Sequence, residues 1–259
     1  MVRAMWKASL RLREYELPVK LYAAVEDRSV HFRLLHAKDH VPVAQRMVDP
    51  ATGAEVPGEE VRRAVELDRG VYVVLQPEEL AKAAPLASRA IEVTRFVPRD
   101  HIDLAWYSRP YLLGPDGKGE EYFALARALE ESGRYGVARW VMRGKRYFGA
   151  LGPREGRLAL LSLRPAGEVV AVDQLTVPAG PEVRKGERDL AEQLLSALDG
   201  PFDPGMLKDE HRERVLELVQ AKAEGRRVRK VQGAAPEPTS DLTEALRASL
   251  RAAREGRVA

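Results

Sequence analysis

Cysteine is absent from the 259-residue chain. That absence removes disulfides, thiolate catalysis and Cys-ligated zinc, and it fits a reducing compartment. No apolar run approaches membrane-spanning length, and Met1 to Lys7 leads into no apolar segment of a secretory signal. The expected setting is therefore cytoplasmic, with no membrane partner. Catalytic signatures are missing as well. Gly144-Lys145 is followed by Arg146 where a P-loop needs Ser or Thr, and Arg139 stands where its first Gly belongs. Gly114-Pro115-Asp116-Gly117-Lys118-Gly119 fails on spacing, and no Gly-x-Ser-x-Gly elbow occurs.

Two small polar clusters remain as candidates for chemistry. His36 and His40 lie four apart beside Asp39, but Val41-Pro42 favours extended chain and no third ligand is evident, so no metal is expected. Asp100, His101 and Asp103 follow Val97-Pro98 and are expected to open a turn. The rival for them is a metal-dependent nuclease. The expectation is a binding protein rather than an enzyme, without a cofactor.

What the chain has is clustered positive charge. The whole protein carries +3, from 42 Lys and Arg against 39 Asp and Glu. Arg134 to Arg164 alone holds eight bases (Arg134, Arg139, Arg143, Lys145, Arg146, Arg154, Arg157 and Arg164) and one acid, Glu155. Within it Val137, Arg139, Val141 and Arg143 alternate with Ala138, Trp140 and Met142, the period of a strand. Gly144-Lys145 is expected to turn the chain into a second strand, presenting Arg143, Lys145 and Arg146 at the tip. Guanidinium and ammonium groups on a loop above an apolar face suit a polyanion such as a phosphate backbone.

Along the chain, strands are expected at Met5–Tyr15 and Val19–Tyr22, split by Pro18. Val30 to Gly70 is irregular and reads as a functional arm, with a short helix from Glu59 to Asp68. A buried strand Val71–Leu75, a helix Pro77–Ala84, and strands Ile91–Val97 and Tyr107–Leu113 follow. Glu120 to Ser132 has helical periodicity with Phe123, Leu125, Ala126 and Leu129 inward, stopped by Gly133. Beyond the basic hairpin, Arg157–Leu163 and Glu168–Val177 read as strands, then Glu187–Leu198 and Leu207–Glu224 as helices. The tail holds a basic cluster at 226–230 and a short amphipathic helix with Leu242, Leu246 and Leu250 on its stripe. A helix this short is marginal alone and suits docking on a partner.

The order of these features resembles bacterial Ku. The residues that carry the resemblance are Met5-Trp6-Lys7-Ala8-Ser9-Leu10, Leu17-Pro18-Val19-Lys20-Leu21-Tyr22, His31-Phe32 to Asp39, and Arg89-Ala90-Ile91-Glu92-Val93 with Phe96-Val97-Pro98. Tyr111 to Pro115, Met142-Arg143-Gly144-Lys145-Arg146, Phe202-Asp203-Pro204 and Lys222-Ala223-Glu224-Gly225 continue it in order. The resemblance implies a mixed, β-dominated fold: a Ku-type β-barrel core over 1–178 with a ring-forming arm at about 26–75. It also implies a helical part at 179–225 that supports a homodimer, and a tail at 226–259. The implied function is sequence-independent binding of double-stranded DNA ends in non-homologous end joining, with recruitment of an ATP-dependent DNA ligase. The alternative is a general duplex- or RNA-binding protein without end preference. By matching positions, Lys7, Lys20, Arg143, Lys145 and Arg146 become phosphate-contact candidates, with Arg33, Lys38 and Arg46 in the arm behind them. Many bacterial relatives carry a Cys pair in the arm where this chain has Val48 and Thr52.

Overall fold

Alternation of apolar and polar side chains builds the first hairpin. β1 (Trp6–Leu12) buries Ala8 and Leu10 and exposes Lys7 and Arg11, while β2 (Tyr15–Ala23) buries Leu17, Val19 and Leu21. A computed structural model describes residues 2–176, 180, 184–225, 247 and 250. Seven strands close into a barrel: β1 and β2 with β5 (Ala90–Pro98), β6 (Tyr107–Pro115), β7 (Arg134–Met142), β8 (Lys145–Arg154) and β9 (Arg157–Leu163). The order is β1-β2-β6-β9-β8-β7-β5, with β5 returning to β1 in parallel and every other pair antiparallel. The expected β-barrel core is thus present. Pro18 lies inside β2 rather than splitting it. Its carbonyl accepts from Asp116 N on the β6 side, where the ladder only begins at Val19, so no N–H is needed there.

The helix α2 (Gly119–Ser132) lays Tyr122, Ala126 and Leu129 into the barrel's core and ends at Gly133 in the left-handed conformation (φ 63°). Tyr122, not Phe123, takes the inward place; Phe123 is 53% exposed. The Tyr122 hydroxyl donates to Leu113 O at 2.5 Å and accepts from Leu158 N at 2.9 Å, tying the helix to two strands. Burial pushes its phenol pKa up.

Three expectations about regular structure fail. Glu59 to Asp68 forms no helix; β3 (Arg63–Asp68) pairs with β4 (Val71–Leu75) in a separate two-stranded sheet around Gly70 (φ 78°). β4 is a strand but not a buried one, because this pair lies outside the barrel's sheet with both faces exposed. Residues 168–176 form no strand; Ala166–Glu168 and Val172–Gln174 make 3-10 turns there instead. The barrel explains this: β9 already has β6 and β8 as neighbours, so no edge is free to accept another strand. The helices α1 (Pro77–Ala83), α3 (Lys185–Ala197) and α4 (Glu210–Ala223) complete the order. Contacts divide the chain into two compact units, Met1–Arg28 with Arg33–Gln174, and Ser29–Phe32 with Leu175–Ala259.

Candidate nucleic-acid interface

The basic hairpin is β7 and β8, and its register differs from the expected one. Met142 pairs with Lys145, so the two-residue loop is Arg143-Gly144 rather than Gly144-Lys145. Both loop residues have positive φ (51° and 71°), the combination a right-twisted two-residue hairpin requires. Lys145 consequently shares the inward parity of Trp140 and Tyr147, while Arg146 pairs with Val141 and faces outward with Arg139. Below the tip, Trp140 stacks on Tyr147 (centroids 5.4 Å apart) and lies over Gly149, where a Cβ would meet its ring at 2.7 Å. That packing fixes the tip's direction. Arg143, Lys145 and Arg146 are all exposed, and none has an acidic partner among the described residues.

Clefts flank this tip. One, of about 330 Å³, is lined by Arg109, Lys145, Arg146 and Arg164 with one acid, Glu168. Another, of about 420 Å³, takes Arg89 and Arg143 in its wall, and a third, of about 260 Å³, takes Arg139 and Arg146. Arg164 is already committed: its guanidinium donates to the carbonyls of Ala105 (2.8 Å) and Tyr107. Arg109 was not visible as a candidate, because the alternation of Tyr107–Leu113 assigns it to the inward set with Tyr111 and Leu113.

Lys7 and Lys20 pair across β1 and β2 and converge on one carboxylate. Lys7 Nζ lies 3.1 Å and Lys20 Nζ 2.8 Å from the two oxygens of Asp116. Hydrogen bonds from Lys20 and then Lys7 hold the Asp116 carboxyl below its usual range, and Asp116 raises Lys20 in return. This pair therefore presents one net positive charge, not two. Beside it runs a row of alternating charge: Arg11 bonds Glu16 (2.5 Å) and sits opposite Glu92, which Arg139 bonds at 2.8 Å.

In the arm, Arg33 and Lys38 are exposed without an acidic partner among the described residues, whereas Arg46 is paired with Glu55 at 2.5 Å. None of the three lines the clefts beside the tip. His36 Nδ1 bonds Asp39 at 2.7 Å, and His40 N bonds His36 O in a tight loop; no cluster of three ligating side chains forms among the described residues. Val48 and Thr52 sit in one turn: Val48 bridges Glu55 in backbone pairing and Thr52 Oγ1 accepts from Ala54 N. Asp103 accepts from Ala105 N and caps a 3-10 turn, and Arg99–His101 form another, so this segment opens turns as expected. Residues 226–230, Leu242 and Leu246 lie outside the described residues, and Leu250 is 9% exposed.

The family model of the Ku70/Ku80 beta-barrel domain matches residues 11–190. A non-homologous end joining protein Ku of Symbiobacterium thermophilum is 39% identical over 100% of this chain, which spans 65% of that relative's length. Ku 2 of Geotalea uraniireducens is 35% identical over 95% of this chain and 97% of its own. The Archaeoglobus fulgidus Ku is 32% identical over 97% and 99%. A seven-stranded barrel, a match over residues 11–190 and relatives alike over nearly their whole span agree: the chain belongs to the Ku family.

Proposed function

We propose that this chain is a sequence-independent clamp for double-stranded DNA ends in non-homologous end joining, acting as a ring-shaped homodimer. The observation that carries it is the hairpin tip: three exposed cations without acidic partners among the described residues, between clefts lined by further arginines. Such groups grip phosphates and fix register without reading bases. The arm supports the ring. A lone two-stranded sheet is marginal in water, yet β3 and β4 expose Val65, Leu67, Val71, Tyr72 and Val73. Cover from a second copy of the arm satisfies both strands, and a two-fold pair matches a duplex whose strands are related by two-folds. A closed ring is entered only from a terminus, so topology selects ends.

The clamp recruits and stimulates an ATP-dependent DNA ligase and leaves strand sealing to it. The candidate docking residues are Leu242, Leu246 and Leu250, with the basic cluster at 226–230 touching flanking DNA. Deleting 226–259 is expected to leave end binding intact and to remove ligase stimulation; unchanged stimulation counts against the docking role. The decisive experiment for the clamp competes a linear fragment against a covalently closed circle of identical sequence. The linear form is expected to win. A circle that competes equally points instead to general duplex or RNA binding without end preference.

A further inference from the structure

Ser162 is the single buried residue of the polar and charged types among the described residues, at 6% exposure. Its hydroxyl accepts from Arg109 N at 2.8 Å and donates to Arg109 O at 3.0 Å. These two backbone groups are the ones the sheet leaves over. β6 pairs with β9 at Tyr107–Leu163 and again at Pro110–Leu161, so Ser108 and Arg109 together oppose Ser162 alone. The extra residue is a β-bulge, a device that re-aims a side chain beside a site. In regular alternation Arg109 shares the inward parity of Tyr111 and Leu113, both buried. With the bulge it is exposed and lines the cleft that Lys145 and Arg146 line from the other strand. A buried hydroxyl is costly unless both its donor and its acceptor roles are met, and here both are spent on this one arginine's backbone.

Arg109 has no acidic partner among the described residues, in contrast to Arg164 in the same cleft, which is tied to backbone carbonyls. We propose that Arg109 is a further phosphate-contacting residue and that Ser162 is its positioning residue, so the duplex backbone is held from both sides of this cleft. This rests on the clamp described above. A planar guanidinium that approaches a phosphodiester opposite the hairpin cations adds one neutralised phosphate per protomer to the footprint.

The experiment measures affinity for a short blunt-ended duplex across a range of salt concentrations. Arg109→Gln removes one contact from each protomer of the dimer and is expected to reduce the salt slope by about 1.8, an affinity loss of roughly sixtyfold at tenth-molar relative to molar salt. Arg109→Lys, which keeps the charge, restores the slope. Arg127→Gln, an equal charge loss on an α2 residue paired with Glu131, leaves the slope as it was. Ser162→Ala shifts the slope toward that of Arg109→Gln, and the double variant loses little more than either single one, as coupled residues do. An Arg109→Gln slope equal to that of Arg127→Gln overturns the proposal, as does full additivity with Ser162→Ala. The triple variant Arg143→Gln, Lys145→Gln, Arg146→Gln separates the two levels. If the triple variant weakens binding and Arg109→Gln does not, only the Arg109 assignment fails; if neither weakens it, the clamp itself fails.

Discussion

Replacing Arg143, Lys145 and Arg146 together by glutamine removes the charge at the hairpin's tip and little else. All three side chains are exposed and unpaired among the described residues, and the hairpin is held by the Trp140–Tyr147 stack and by Gly144. Glutamine at position 143 keeps the same left-handed backbone requirement as arginine, so the turn changes little and thermal stability should stay near wild type. Binding should not. Three contacts from each protomer, six in the dimer, contribute about 5.4 to the slope of log affinity against log salt, which is roughly 250,000-fold between molar and tenth-molar salt. Expressed as free energy this is about 7.3 kcal/mol, at 1.36 kcal/mol per decade. Fluorescence anisotropy with duplexes of several unrelated sequences, titrated at four or more salt concentrations, reads both the slope and its sequence dependence. The loss should be equal for all sequences, because phosphates carry no base information. A wild-type slope in the folded variant refutes the assignment. A loss confined to one sequence refutes the sequence-blind mechanism.

Asp116→Asn frees Lys7 and Lys20 from the carboxylate they share, so duplex affinity is expected to rise and the salt slope to steepen; unchanged or weaker binding removes these lysines from the interface. The same carboxyl has a depressed pKa, so its contribution to stability is present above the unfolded value near 3.8 and is lost as pH falls through the lower folded value. Acid unfolding curves of wild type and Asp116→Asn should therefore converge at the acid end, and parallel curves contradict the linkage. Tyr122→Phe leaves Leu113 O and Leu158 N without their buried partner and should cost about 1–3 kcal/mol in urea unfolding; an unchanged midpoint means water fills the gap. Val65→Asp with Val73→Asp places charges on facing positions of the arm's sheet and should convert a dimer to a monomer in light scattering while the barrel's circular dichroism persists. A dimer that survives these charges rules this face out of the interface.

Much of the barrel was legible because its strands obey strict alternation around one core. Ala8 and Leu10, Leu17 to Leu21, and Trp140 with Met142 all point where period two sends them. Departures arose where long-range pairing overrode local pattern. Glu59 to Asp68 carries helix-favouring residues, but Val65 and Leu67 alternate with Glu66 and Asp68, and the strand at Val71–Leu75 captures them. Val170, Val172 and Leu175 have strand character, yet a closed barrel has no edge for them and they remain exposed. The hairpin cations were legible from charge density alone. The one-residue error in the turn followed from placing Gly144 first in the loop, where pairing of Met142 with Lys145 puts it second. The Asp116 bridge and the Arg109 bulge were not legible, since both depend on contacts between strands far apart in sequence.

The ring itself is tested most directly by trapping. Protein is loaded on a linear plasmid, the ends are ligated to close the circle, and salt is raised to a level that strips the protein from linear DNA. Retention on the closed circle, followed by release after a single cut, is the predicted result. Loss from the circle at the same salt as from the linear form would contradict it.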